Sequence, residues 1–300
     1  MRRRTFLLMV SGLLSVFAVV AEAPGAEFKL VMLGDSITLS ARNPEGGKMP
    51  QLTEKALNEV SAGRVAWTVV NAGVGSETAD GGLKRVAAIL TREKPQVITI
   101  DYGANDMGRK DPKWFEDRLR ALIDAVQNHP SRPQVVLLTG TPSVDARHFY
   151  GRDPFFADAG GPDAYLDRKI NAATRRLAAE RKLPLIDVHR AFVAAPVWQK
   201  LMTSDGVHPT VEGNRVIAAC VARGLAAFVE ARSSPKSKAA EAEKSVRAKL
   251  DQAKKAVAAG NRADARRLVD EAAGLCPYLA EVWVAADELD APDRSPGAGK

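Results

Sequence analysis

From Phe28 onward, short runs of apolar and β-branched residues alternate with longer stretches in which apolar side chains return every three or four positions. The runs predict strands at FKLVML (28–33), VAWTVV (65–70), QVITI (96–100), QVVLL (134–138) and PLIDV (184–188). The periodic stretches predict helices at about 49–60, 79–93, 112–128, 163–182 and 210–232. The strand runs are almost continuously apolar instead of alternating with polar residues. That pattern fits strands buried on both faces, hence a parallel sheet with helices above and below it. Sheets of this kind hold their ligands beyond the carboxyl ends of the strands.

The two ends of the chain depart from this rhythm. At the amino end, MRRRTFLLMVSGLLSVFAVVAEAPGAE (1–27) places a basic cluster before an apolar run from Phe6 to about Ala21, followed by small residues and Pro24-Gly25. The run is shorter than the roughly 20 residues of a membrane span and has the layout of a secretory signal, assigned to residues 1–26. Arg3-Arg4-Thr5-Phe6-Leu7 also resembles a twin-arginine signal. The expected location is periplasmic or extracellular, with membrane attachment only if the segment stays uncleaved. An α/β domain then occupies 27–232, and the polar stretch at 233–245 reads as a linker.

From 246 to 290 the chain is rich in Ala, Lys, Glu and Arg at helical spacing, and 291–300 reads as a disordered tail. Gly260, Ala265, Ala272, Pro277 and Trp283 match the spacing of a tetratricopeptide-type helical hairpin. Only one hairpin and the opening of a second are present, fewer than the three or so units such repeats need. The segment therefore packs on a neighbour, pairs with another chain, or is marginal. A role in binding a protein partner is its lesser reading.

Composition narrows the function classes. Hydrophobic residues make up 46% of the 300 positions, enough for a sizeable core. The formal charge of +7 includes Arg2, Arg3 and Arg4 of the leader, and the other basic residues alternate with acidic ones. No basic face interleaved with aromatics emerges, which excludes nucleic acid as an expected partner. Cys220 and Cys276 lie in separate regions and read as small buried hydrophobes, not as a disulfide framework.

Candidate chemistry gathers after the strands. Gly34-Asp35-Ser36 follows the first, Asn71-Ala72-Gly73 the second, Gly103-Ala104-Asn105-Asp106 the third, and Asp205-Gly206-Val207-His208 lies beyond the fifth. In this order and setting the four blocks resemble those of the SGNH or GDSL hydrolase family, from about Phe28 to Arg232. The resemblance implies a three-layer α/β/α fold whose five-stranded parallel sheet has the order 2-1-3-4-5. It also implies a serine esterase that uses no cofactor and acts on small-molecule esters. Acetylated sugars, short acyl esters, lysophospholipids and thioesters all fall within the family's range.

The chemistry also stands on its own terms. A serine hydroxyl is a poor nucleophile at neutral pH and needs a base within hydrogen-bond reach. His208 is the expected base for Ser36, with Asp205 three residues earlier in a tight turn to fix its tautomer. The resemblance assigns the oxyanion donors to the Ser36 and Gly73 backbone N–H groups and the Asn105 side-chain amide. Glycine allows close backbone approach, and asparagine presents a neutral donor.

Other residues have plainer readings. Asp35 reads as a cap and Asp106 as a group that orients the Asn105 loop. His189 stands as a competing base, whereas His129 and His148 have no acid at a useful spacing. Asp35, Asp101, Asp106 and His208 could converge on a metal, but none shows the close helical spacing of a metal hydrolase, so no metal is expected. Neither GVGSETADGG nor PEGG matches a phosphate-binding or dinucleotide motif. In the connection around 143–166, Phe149, Tyr150, Phe155, Phe156 and Tyr165 form either a lid over the site or pins that hold a long loop to the core. The rival to the enzyme is a hydrolase-fold scaffold that is catalytically weak and uses its helical tail for protein interaction.

Overall fold

The computed structural model describes residues 26–62, 64–233 and 236–291. The leader assigned to 1–26 lies outside the described residues except for Ala26, the terminal tail expected at 291–300 lies outside them except for Ala291, and the linker lies partly outside. Five strands, β1 (Ala26–Gly34), β2 (Val65–Gly73), β3 (Val97–Asp101), β4 (Gln134–Leu138) and β5 (Leu185–Ile186), form one parallel sheet in the order β2-β1-β3-β4-β5. The register places Gly34, Gly73 and Asp101 on one row at its carboxyl edge.

Consecutive side chains on the central strands enter opposite cores. Val31 and Leu33 pack with α3 (Ala79–Glu93), α4 (Pro112–Gln127) and α7 (Ala172–Glu180). Leu30 and Met32 pack with α2 (Met49–Ser61), α8 (Val188–Val193) and α9 (Val211–Ser233). This two-sided burial is why β1, β3 and β4 carry nearly continuous apolar runs. Three short helices lie at the carboxyl edge or just beyond it: α1 (Ser36–Leu39), α5 (Pro154–Asp158) and α6 (Pro162–Tyr165).

The carboxyl-terminal segment forms α10 (Lys238–Ala258), α11 (Arg262–Leu275) and α12 (Ala280–Asp290) around a third core that includes Phe228 from the end of α9. The linker expected over 233–245 is largely helical. The Ser237 side chain accepts the Ala240 N–H and starts α10 at Lys238, and the Ala-Glu-Lys sequence that follows favours a helix.

This segment packs on the body. The Leu185 N–H donates to Tyr278 O at 2.9 Å, and Pro184 and Leu279 form an antiparallel bridge, so the tail covers the outer edge of β5. The Arg175 guanidinium, 1% exposed, meets Asp187 and Asp167 of the body at 2.7 Å each and Asp287 of α12 at 3.3 Å. Cys276 is buried and Cys220 half-buried, and both are free thiols.

Candidate active site

At the end of β1 the chain must turn sharply into α1, and Gly34 permits it. A Cβ there would lie 2.2 Å from Thr38 Oγ1 and 2.7 Å from Asp101 O. Asp35 caps the turn, its Oδ1 accepting the Ile37 N–H at 2.8 Å, and Ser36 opens the single helical turn. The helix ends at once because Ser40 adopts the left-handed conformation with φ 53°.

A second tight turn approaches from the far end of the sheet. Gly206 takes φ 72°, and its N–H donates to Thr203 O at 3.0 Å, folding Asp205 back toward His208. Asp205 Oδ1 accepts the Thr203 hydroxyl at 2.7 Å and the Val207 and His208 N–H groups at 2.9 and 3.0 Å. Asp205 Oδ2 lies 2.7 Å from His208 Nδ1, and His208 Nε2 lies 2.9 Å from Ser36 Oγ. Burial alone would raise the Asp205 carboxyl. The backbone N–H groups of His208 and Val207, the Thr203 hydroxyl and the His208 ring outweigh it and hold the carboxyl well below its usual range. An ionised carboxylate only accepts, so Nδ1 carries the ring proton and Nε2 is left to accept from the serine hydroxyl.

Asn105 follows β3 and reaches Asp35, the residue before Ser36. Its Nδ2 donates to Asp35 Oδ2 at 3.2 Å and to Glu77 O at 3.0 Å, joining α1 to the turn after β2. Glu77 is itself fixed by the Tyr102 hydroxyl at 2.5 Å and Arg85 Nε at 2.8 Å. Sequence reasoning missed Glu77, Arg85 and Tyr102, because nothing in their spacing signals a shared contact.

Gly73, expected as an amide donor, has a different geometry. Its N–H donates to Asn71 Oδ1 at 3.0 Å, while the next residue, Val74, donates to Gly34 O at 3.0 Å. Successive N–H groups of a strand point to opposite sides, so the Gly73 amide faces the outer edge of β2, away from β1 and the turn that carries Ser36. Glycine is required there for packing, since a Cβ would sit 2.2 Å from Leu39 N.

The remaining candidates take structural positions. Asp106 Oδ1 accepts the Ala79 N–H at 3.0 Å and caps α3, and burial raises its carboxyl to about 6. His189 Nε2 lies 3.2 Å from Asp163, with its partners on the α6–α8 side and not at Ser36. His148 Nδ1 accepts the Tyr150 N–H at 2.9 Å, and His129 contacts Thr91 and Ser131 before the start of β4. Asp35 and Asp101 are buried beneath α1 while His208 is turned to Ser36. Among the described residues no three His, Cys, Asp or Glu side chains are grouped to hold a metal ion.

The aromatic connection divides in two. Phe156 and Tyr165 are buried in the core, whereas Phe149 is 73% exposed. The connection also touches both halves of the site. The Val144 N–H donates to Gly206 O at 2.8 Å, and the Tyr150 hydroxyl packs where Gly108 lacks a side chain.

A hydroxyl, an imidazole and a carboxylate in hydrogen-bonded sequence at the carboxyl edge of this sheet define a hydrolase site. Residues 32–216 match the GDSL-like Lipase/Acylhydrolase family, and the chain belongs to that family. An arylesterase of Vibrio mimicus is 27% identical over 214 residues, covering 71% of this chain and 95% of that one. Esterase TesA of Pseudomonas aeruginosa is 27% identical over 208 residues, covering 68% and 90%. The crystal structure of a lipase/acylhydrolase from Enterococcus faecalis superposes with a TM-score of 0.51 at 25% identity, covering 65% of this chain and 94% of that one. The protein is thus an ester-hydrolysing serine hydrolase, and its substrates are small-molecule esters.

Proposed function

We propose that this protein is an exported esterase of small, short-chain esters that works through an acyl-enzyme on Ser36. The hydrogen-bonded line Asp205–His208–Ser36, with separations of 2.7 and 2.9 Å, carries the reading. His208 takes the Ser36 proton as the hydroxyl attacks the ester carbonyl and gives it to the departing alcohol, and Asp205 keeps the ring in the competent tautomer. Water then attacks the acyl-enzyme by the same route in reverse roles.

The oxyanion of each tetrahedral intermediate meets the Ser36 N–H and, in exchange for its 3.2 Å bond to Asp35 Oδ2, one N–H of Asn105 Nδ2. The third donor comes from the turn after Gly73. The N–H groups of Gly75 and Ser76 make no hydrogen bond among the described residues, and Asn105 grips Glu77 O in that same turn. Export rests on the basic and apolar layout of residues 1–26. Among the described residues no helix is long and apolar enough to cross a membrane.

The test is Ser36→Ala assayed on p-nitrophenyl acetate. A folded variant with turnover reduced by about 10³-fold or more, and with no labelling by a fluorophosphonate probe, is expected. Unchanged hydrolysis in the purified variant would reject the assignment.

A further inference from the structure

Arg42 lies six positions after Ser36, on the loop that leaves α1, and its guanidinium forms an ion pair with Asp205 Oδ2. The loop is held to the His208 side by several contacts. Asn43 Nδ2 donates to Pro209 O at 3.4 Å, Asn214 Nδ2 donates to Gly47 O at 3.0 Å, and Gly47 lies against Val211. Arg42 therefore stands at the site mouth through its backbone and not through a chance side-chain contact.

The ion pair is surplus to Asp205. That carboxylate already accepts from the Thr203 hydroxyl, two backbone N–H groups and the His208 ring. The Arg42 side chain is 56% exposed, a setting in which an ion pair contributes little. The nearby carboxylate of Glu45 is occupied by Lys48 and Gln51. Arg42 thus presents a planar fork of donors, matched to carboxylate or phosphate, that an incoming anion can take over at small cost.

Its position also says which part of an ester it would meet. The imidazole delivers its proton to the leaving oxygen, so the alcohol portion lies on the His208–Asp205 side, while the carbonyl oxygen turns toward Asn105. We infer that Arg42 is a specificity residue that recognises a carboxylate or phosphate on the alcohol portion of the ester, leaving Asp205 to do so. The inference rests on the Ser36–His208–Asp205 reading and deepens it.

The experiment compares para-acetoxybenzoate and para-acetoxyphenyl phosphate with the neutral methyl para-acetoxybenzoate, in wild type and Arg42→Ala, with Arg42→Lys as the charge-keeping control. Wild type is expected to favour at least one anionic ester by about tenfold in kcat/KM, mainly through KM, and to lose that preference as salt is raised. Arg42→Ala is expected to abolish the preference while changing the neutral ester less than about threefold, and Arg42→Lys to restore part of it. The two anionic arms show whether carboxylate or phosphate is the better match. Equal turnover of all three esters by wild type overturns the inference, as does an equal loss on all three in Arg42→Ala. Fluorophosphonate labelling run in parallel separates the failures. Intact labelling with no charge preference removes only the role of Arg42, whereas labelling unaffected by Ser36→Ala removes the reading beneath it as well.

Discussion

Thr38 Oγ1 donates to Asp101 Oδ2 at 3.1 Å, under the single helical turn that carries Ser36. Both side chains are buried, and Asp35 is buried close by. The nucleophile is therefore supported from below by a pair of carboxylic side chains that water does not reach.

That pair makes stability depend on pH. Burial raises the Asp101 carboxyl from 3.8 to about 7, with the Thr38 bond pulling weakly the other way. The folded state then holds a proton between about pH 4 and pH 7 that the unfolded chain has released, so this group's contribution falls as pH rises through that window. Asp101→Asn cannot ionise. Its Tm, relative to wild type, is expected to climb by several degrees between pH 4 and pH 8, measured by thermal melts at each pH. A gap that stays flat would show that Asp101 ionises normally.

Asn105 and Gly73 are expected to fail differently when substituted. Asn105→Ala removes the proposed oxyanion donor and is expected to lower kcat by about 100- to 1000-fold with little change in KM. Gly73→Ala drives a methyl group into the Leu39 backbone, 2.2 Å from its nitrogen, and is expected to cost about 3 kcal/mol of stability in urea denaturation. A Gly73→Ala protein with full stability but no activity would return the Gly73 amide to the oxyanion site.

Within the aromatic connection, Phe156 is fully buried between Tyr150 at 4.7 Å and Tyr165 at 5.2 Å. Phe156→Ala is expected to cost about 3–5 kcal/mol, and Phe149→Ala, at the exposed end, less than about 0.5 kcal/mol. Chemical denaturation of the two variants side by side checks the contrast. Equal losses would mean that the exposed ring also helps to pin the loop.

The seam between body and tail should respond most to its buried member. Arg175→Ala removes the closer of the two guanidinium groups facing the fully buried Asp187, leaving only Arg190 Nε at 3.8 Å, and is expected to destabilise by about 3 kcal/mol. Asp287→Ala removes a partner that is a quarter exposed, and about 1 kcal/mol is expected. Reversal of that order in unfolding measurements would place the main attachment in α12.

The strands were legible because their apolar runs are local, and the sheet order followed from the family resemblance that the four local motif blocks carry. Ser36, Asp205, His208 and Asn105 lie in such blocks, and the structure brings them to one edge. What escaped depended on contacts between distant segments. β5 is only Leu185–Ile186, and part of its hydrogen bonding is to Tyr278, which no local pattern announces. The resemblance assigned Gly73 as an amide donor, and glycine suggests access, yet the demand for glycine comes from Leu39 packed against it. Arg42 sits in a loop without periodicity, and its value lies wholly in reaching a residue far along the chain.

The bond from Leu185 to Tyr278 ties the last strand of the sheet to a residue far downstream of it. During synthesis the rest of the sheet can assemble while this margin stays bare, a sticky border able to recruit other chains. Nascent molecules remain vulnerable to clumping until the segment that carries Tyr278 leaves the ribosome. A shortened version would keep that hazard for life.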